Sequence, residues 1–136
     1  MIVDSSALVA VLRLEPDARR IIEALFRAPV AVMSAGSYVE VGIVVDRSRD
    51  PRASRQFDLL IREARIEVVP VTVEQALIAR EAYRDFGKGR GHRAGLNFGD
   101  CFSYALAKER NEPLLYKGDD FAHTDVRSAL EITASS

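Results

Sequence analysis

The sequence predicts an α/β protein with a mostly parallel sheet covered by helices on both faces, and two features carry that expectation. Short apolar runs at residues 1–4, 30–33, 66–71 and 113–116 read as buried strands. Longer segments of helical period separate them, and strands that alternate with helices build parallel sheets. With 136 residues and 48% hydrophobic content, the chain fits one compact domain, 1–136, able to bury a real core.

Each element has its own signal. Residues 1–4 are too short and apolar for anything but a buried strand. Ser5 and Ser6 are candidate N-caps for a helix over 7–14, which ends before Pro16 because proline restricts the residue preceding it. Pro16 opens a second helix to about Arg27. After strand two, Ser34 or Ser37 caps an apolar helix with Tyr38, Val41, Val44 and Val45 at helical spacing. Its neighbours Val39, Val41 and Ile43 place Glu40 in a largely buried helix. Pro51 starts an amphipathic helix carrying Phe57, Leu60 and Ile61. Strand three follows, then Thr72 and Gln75 as the capping box of a helix that runs until the glycines at 87, 89, 91 and 95. Asn97 caps a helix over 98–109, and residues 130–133 form a short final strand. There is no internal repeat and no low-complexity segment.

Charge and cysteine usage narrow the function classes. A net charge of −1 argues against bulk affinity for polyanions and leaves a local basic patch as the route to nucleic acid. The single Cys101 makes no internal disulfide and fits a reducing compartment, so the cytoplasm is the expected location. No leader segment and no membrane span is expected.

Four acids stand at or beside the carboxyl ends of these strands, where open α/β sheets bind their ligands: Asp4, Glu40, Asp100 and Asp120. Each has an ordinary explanation. Asp4 could cap the following helix, Glu40 could pair with an arginine, Asp100 could complete a capping box with Asn97, and Asp119 and Asp120 could be turn residues. All four explanations would then have to coincide at one sheet edge, which favours a shared cation. Two carboxylates about 4 Å apart repel by roughly 4 kcal/mol at an effective dielectric of 20, and a hard divalent ion removes that conflict. Mg²⁺ takes oxygen ligands, keeps several waters, and suits phosphodiester hydrolysis without a protein nucleophile.

Other chemistries fail on specifics. His92, Cys101 and His123 lack the paired spacing of a zinc site. Residues 89–94 fit G-x-G-x-x-A formally but follow a helix rather than the first strand, so the dinucleotide reading lacks its context. A Walker pattern is absent. A Cys101–His92 nucleophile pair would leave the acids unexplained, and Cys101 is expected to be a small buried residue.

The opening Met-Ile-Val-Asp-Ser-Ser-Ala, Glu40, the segment His92-Arg-Ala-Gly-Leu-Asn-Phe-Gly-Asp-Cys-Phe-Ser-Tyr-Ala-Leu-Ala and the ending Leu114-Leu-Tyr-Lys-Gly-Asp-Asp-Phe together resemble a PIN-domain ribonuclease, more narrowly a VapC-type toxin. The resemblance runs from Met1 to about Ile132. It implies a three-layer α/β/α PIN-like fold with a mostly parallel sheet, Mg²⁺ dependence with Mn²⁺ as a possible substitute, and endonucleolytic cleavage of structured RNA by metal-activated water. It further implies inhibition by a cognate antitoxin, and a homodimer is expected. Asp4, Glu40 and Asp100 fall on the family's first three acids. Asp120 is assigned as the fourth and Asp119 as an accessory, and Ser6 matches the small hydroxyl residue beside the metal centre.

Between residues 84 and 93, Arg84, Lys88, Arg90 and Arg93 face Asp85 alone on a glycine-rich backbone. A solvated loop is the ordinary reading. Its place just before the Asp100 helix favours a phosphate clamp in which Lys88, Arg90, His92 and Arg93 position RNA without reading its sequence. Two other readings stay open: a PIN-like nuclease of DNA or housekeeping RNA without an antitoxin, and a non-catalytic module whose acids hold a structural cation.

Overall fold

A computed structural model describes residues 1–89, 91 and 93–131. Its sheet has four strands in the order β3-β2-β1-β4: β1 (Ile2–Val3), β2 (Ala31–Ser34), β3 (Ile66–Val69) and β4 (Leu114–Leu115). All three strand pairings are parallel. The order reverses beside β1, where the chain entering β4 crosses back over the sheet, and such a switch point opens a crevice at the strands' carboxyl ends.

The two faces are covered by α1 (Ser5–Leu12), α2 (Ala18–Arg27), α3 (Ala35–Asp46), α4 (Pro51–Glu63), α5 (Val73–Phe86) and α6 (Phe98–Arg110). Alternation along the strands sorts the core into two layers. Val3, Ala31, Met33, Ile66 and Leu115 point toward α1 to α4 and pack with Leu8, Ile21, Leu25, Val41 and Phe57. Ile2, Val32, Val69 and Leu114 point the other way, against Ala82, Tyr104, Leu106, Ala107 and Phe121. The expected three-layer α/β/α architecture is therefore observed.

Several local expectations need correction. The N-cap of α1 is Asp4 rather than Ser5 or Ser6: its side chain accepts the Ser6 N–H. Helix α3 is capped by Ser34, and it is not largely buried. Ser37, Val41 and Val45 face the core, while Val39 is 56% and Ile43 is 53% exposed. Thr72 caps α5 by accepting the Gln75 N–H, but the reciprocal half of the box is missing because the Gln75 amide donates to Glu109 at 2.9 Å instead. Strand β3 ends at Val69, before Pro70, and exposes Glu67 and Val68 as befits a sheet edge. No strand forms at 130–131, which are helical. The chain's parallel bridge to Leu114 comes earlier, at Ser128, and residues 132 and 133 lie outside the described residues. Among the described residues no helix is long and apolar enough to cross a membrane.

Two glycines permit close approach at the heart of the fold. A Cβ on Gly36 would meet the Phe102 ring at 2.6 Å, and one on Gly99 would overlap the Glu40 carboxylate. Hydrogen at these positions lets the start of α3 lie against the start of α6.

Candidate active site

Strand-helix junctions bring the acids together. Asp4 leaves β1 directly and is 1% exposed. Its Oδ1 accepts the Ser103 hydroxyl at 2.5 Å and its Oδ2 the Ser6 N–H at 3.0 Å. Burial nonetheless raises its pKa above the ordinary carboxylate value, because removing a charge from water costs more than these donors return. The Ser103 hydroxyl is the strongest opposing influence, followed by smaller help from Ser6 and Ser5.

Asp100 occupies the third position of α6, where the expected capping box is complete: its N–H donates to Asn97 Oδ1 at 3.0 Å and its Oδ2 accepts the Asn97 N–H at 3.0 Å. The capping role and a place among the acids are thus compatible. Its pKa is pushed up to about 8, first by burial and then by the charges of Asp4 and Asp120, against the Asn97 bond that lowers it. Asp120 approaches it from the turn after β4, near enough for its charge to add to the rise. Asp119, exposed like Asp120, bears on Tyr116 instead. Of the adjacent pair, Asp120 is the one that joins the cluster.

Glu40, in the second turn of α3 and half-buried, accepts the Ser5 hydroxyl and lies against Gly99. These two contacts are the chain neighbours of Asp4 and Asp100. Among the described residues no arginine forms an ion pair with it. Ser6, expected beside the acids, receives the Lys117 N–H at 3.0 Å and so ties α1 to the segment that delivers Asp120. Among the described residues, no three His, Cys, Asp or Glu side chains form a ready-made cage for an ion. The acids are linked through hydroxyl groups and adjacent backbone.

Two serines that contact these acids are not marked for it by sequence. Ser5 reads only as a helix cap, and Ser103 carries no motif of its own. Ser103 lies three residues after Asp100, hence on the same helix face, and that spacing is the one signal that could have found it.

Cys101 is buried as expected. Its thiol donates to the Asn97 carbonyl at 3.3 Å, and burial, with the Asp100 charge second, pushes its pKa up to about 11. In the basic loop, Lys88 and Arg93 are exposed, whereas Arg84 sits 3.5 Å from Glu81 and its charge is locally offset. Arg90 and His92 lie outside the described residues. The loop is closed at its base, where Lys88 N donates to Leu96 O at 2.7 Å and Leu96 N to Phe86 O at 2.8 Å. It delivers the chain straight into the Asn97 cap.

A three-layer fold with acids gathered at the switch of a parallel sheet is the arrangement of one protein family whose model fits this chain: the PIN domain matches residues 1–127. The chain is 60% identical over 131 residues to VapC ribonuclease Mb0625 of Mycobacterium bovis and to ribonuclease VapC28 of Mycobacterium tuberculosis, covering 96% of this chain and 98% of each relative. It is 49% identical over 126 residues to ribonuclease VapC30 of Mycobacterium tuberculosis, 93% of this chain and 95% of that one. Among solved structures, Mycobacterium tuberculosis VapC20, described as a sarcin-ricin loop cleaving toxin, superposes with a TM-score of 0.71 at 16% identity, covering 92% of this chain and 95% of the other. VapBC2 from Rickettsia felis, bound to a promoter DNA fragment, gives 0.72 at 15% identity with 93% and 95% covered, a likeness of fold. The chain belongs to the PIN-domain family and, within it, to the VapC-type ribonuclease toxins.

Proposed function

We propose that this endoribonuclease hydrolyses structured RNA in a reaction dependent on Mg²⁺, or Mn²⁺ in its place, with Asp4, Glu40, Asp100 and Asp120 as the ligand set. The observation that carries this reading is the gathering of Asp4, Asp100 and Asp120 at one edge of the sheet, with Asp4 and Asp100 both buried; burial first, and the charges of Asp4 and Asp120 second, push the Asp100 pKa up to about 8. Carboxyls crowded in this way favour either a proton or a cation, and a divalent cation relieves more than one of them at once. All four donors are hard oxygens, which suits Mg²⁺ or Mn²⁺ over softer ions. Mg²⁺ retains water and takes substrate phosphate into its shell, so not all four acids need touch it directly.

When bound, the cation supplies positive charge to the phosphoryl group and acidifies water. The protein's own residues do the rest. Asp4 and Asp100 are fixed from two sides each, Glu40 is held by Ser5 and Gly99, and Asp120 is carried by a turn anchored through Lys117 to Ser6. Asp119 is an accessory. Lys88 and Arg93, with Arg90 and His92, draw the phosphate backbone to a site that acids alone would repel.

A cognate antitoxin is the proposed inhibitor, supported by the presence of toxin-antitoxin complexes among the solved structures of like fold. The proposed homodimer is supported by the apolar side chains left in water, Val73, Leu77 and Phe98 at 75%, 60% and 78% exposure. The cytoplasm is the proposed location. The test is sequencing of RNA ends in cells after induced expression, together with cleavage by the purified protein. New ends at defined sites that require Mg²⁺ in vitro and vanish with Asp100→Asn are expected. Cleavage unaffected by chelation would overturn the metal reading.

A further inference from the structure

We propose that Ser103 and Ser37 are positioning residues for the metal centre, a buried pair of hydroxyls that holds the Asp4 carboxylate in its ligating orientation. This rests on the reading of Asp4 as a metal ligand given above. Both serines are 0% exposed. Ser103 Oγ stands 2.5 Å from Asp4 Oδ1, and Ser37 Oγ stands 2.9 Å from Ser103 Oγ.

Proton counting fixes the direction of the chain. An ionised carboxylate only accepts, and a hydroxyl has one proton. Ser103 therefore donates to Asp4, and Ser37 donates to Ser103. The relay links three elements, the end of β1, the first turn of α3 and the middle of α6. Asp4 Oδ2 is held independently by the Ser6 N–H. Each oxygen thus has one donor fixing it, and a carboxylate offers about four lone-pair sites, so each keeps room for a cation.

A purely structural role would be served differently. Neither hydroxyl caps a helix: Ser34 caps α3 and Asn97 caps α6. The Ser37–Ser103 bond by itself adds only modestly to net stability, and the partner that gains most from Ser103 is the Asp4 carboxylate. What the pair uniquely supplies is a fixed direction for one carboxylate. Because Ser103 lies one turn from Asp100, the helix that carries one acid also orients another.

The experiment measures Mn²⁺ binding by titration calorimetry, RNA cleavage as kcat and KM, and melting temperature without added metal, for Ser103→Ala, Ser103→Thr, Ser37→Ala and Asp4→Asn. Ser103→Ala should lower Mn²⁺ affinity and kcat about 10- to 100-fold, the usual loss when a group orienting a metal ligand is removed, with KM for RNA unchanged. Ser103→Thr, which keeps the donor, should recover most of the affinity. Ser37→Ala should show a smaller loss in the same direction and decides the matter if Ser103→Ala does not fold. Wild-type Mn²⁺ affinity in Ser103→Ala or, failing that, in Ser37→Ala overturns the proposal. So does a loss that only follows a fall in metal-free melting temperature. Asp4→Asn separates the two readings: undiminished Mn²⁺ binding there would remove Asp4 as a ligand, whereas loss there with normal binding in the serine variants would leave the ligand and dismiss the relay.

Discussion

Asp120, in the turn after β4, lies close enough to the buried Asp100 carboxyl at the start of α6 for its charge to raise the Asp100 pKa. Neighbouring carboxylates repel, and burial first, with the charges of Asp4 and Asp120 second, favours the protonated form of Asp100.

Stability without metal should therefore fall as pH rises. The folded pKa of Asp100 is about 8 against an ordinary 3.8, so the folded state holds a proton that the unfolded chain releases. Its stabilising effect is full below about pH 4 and is lost as pH climbs through about 8. Thermal melts in chelator from pH 5 to 9 should show this decline, and Asp100→Asn should flatten it. Added Mg²⁺ should stabilise the wild-type protein most at the alkaline end, where the carboxyl is already ionised. A wild-type slope that survives in Asp100→Asn would refute the assignment.

Gly99 should matter more for cleavage than for stability. A Cβ there overlaps only the carboxylate end of the flexible Glu40 side chain, which can swing aside, so Gly99→Ala should change stability in chemical denaturation by no more than about 1 kcal/mol, alanine's helical preference over glycine being of that size. Cleavage should nevertheless fall strongly, because Glu40 is pushed out of its place beside Asp4 and Asp100. A folded Gly99→Ala protein that cleaves RNA like wild type would show that the position of Glu40 does not matter.

Cys101 should be dispensable. With its thiol pushed up to about 11, almost no thiolate exists near neutrality, and the thiolate is the reactive form. Cys101→Ser should cleave RNA within a few-fold of wild type, and alkylation of the native protein at pH 8 should be slow. Complete loss of cleavage in a folded Cys101→Ser protein would bring back a nucleophilic thiol.

Lys88 and Arg93 should contribute through charge alone. Replacing both with Ala should weaken RNA binding and flatten its salt dependence, by a slope of roughly 0.7 for each single-strand phosphate no longer neutralised. Binding measured from low to moderate salt would show it, and an unchanged slope would make the loop merely solvated.

The sheet, the helices and the two-faced core were legible because periodicity reports burial, and burial is what strands and helices share with their sequence. Asp4, Glu40 and Asp100 were legible for another reason, since acids at the carboxyl ends of strands have no cheap structural purpose in common. The burial argument for Glu40 was partly wrong: Val39 and Ile43 are apolar yet exposed, because an apolar residue is buried only where another element packs over it. The Thr72–Gln75 box misled because Gln75 found Glu109, thirty-four residues away, a partner that local sequence does not encode. Ser103 and Ser5 escape notice on the same ground. A serine becomes meaningful only when folding sets it against a carboxylate, and composition does not mark it beforehand.

The two hydrogen bonds that clasp Lys88 to Leu96 and Leu96 to Phe86 uncouple the loop from the acids. Whatever is inserted or exchanged beyond that clasp leaves the Asn97 cap, and with it Asp100, anchored as before. Lengthening a loop is also thermodynamically mild, about 0.6 kcal/mol for each doubling. A lineage of such proteins can therefore vary the length and charge of this loop while the placement of the acids is inherited intact.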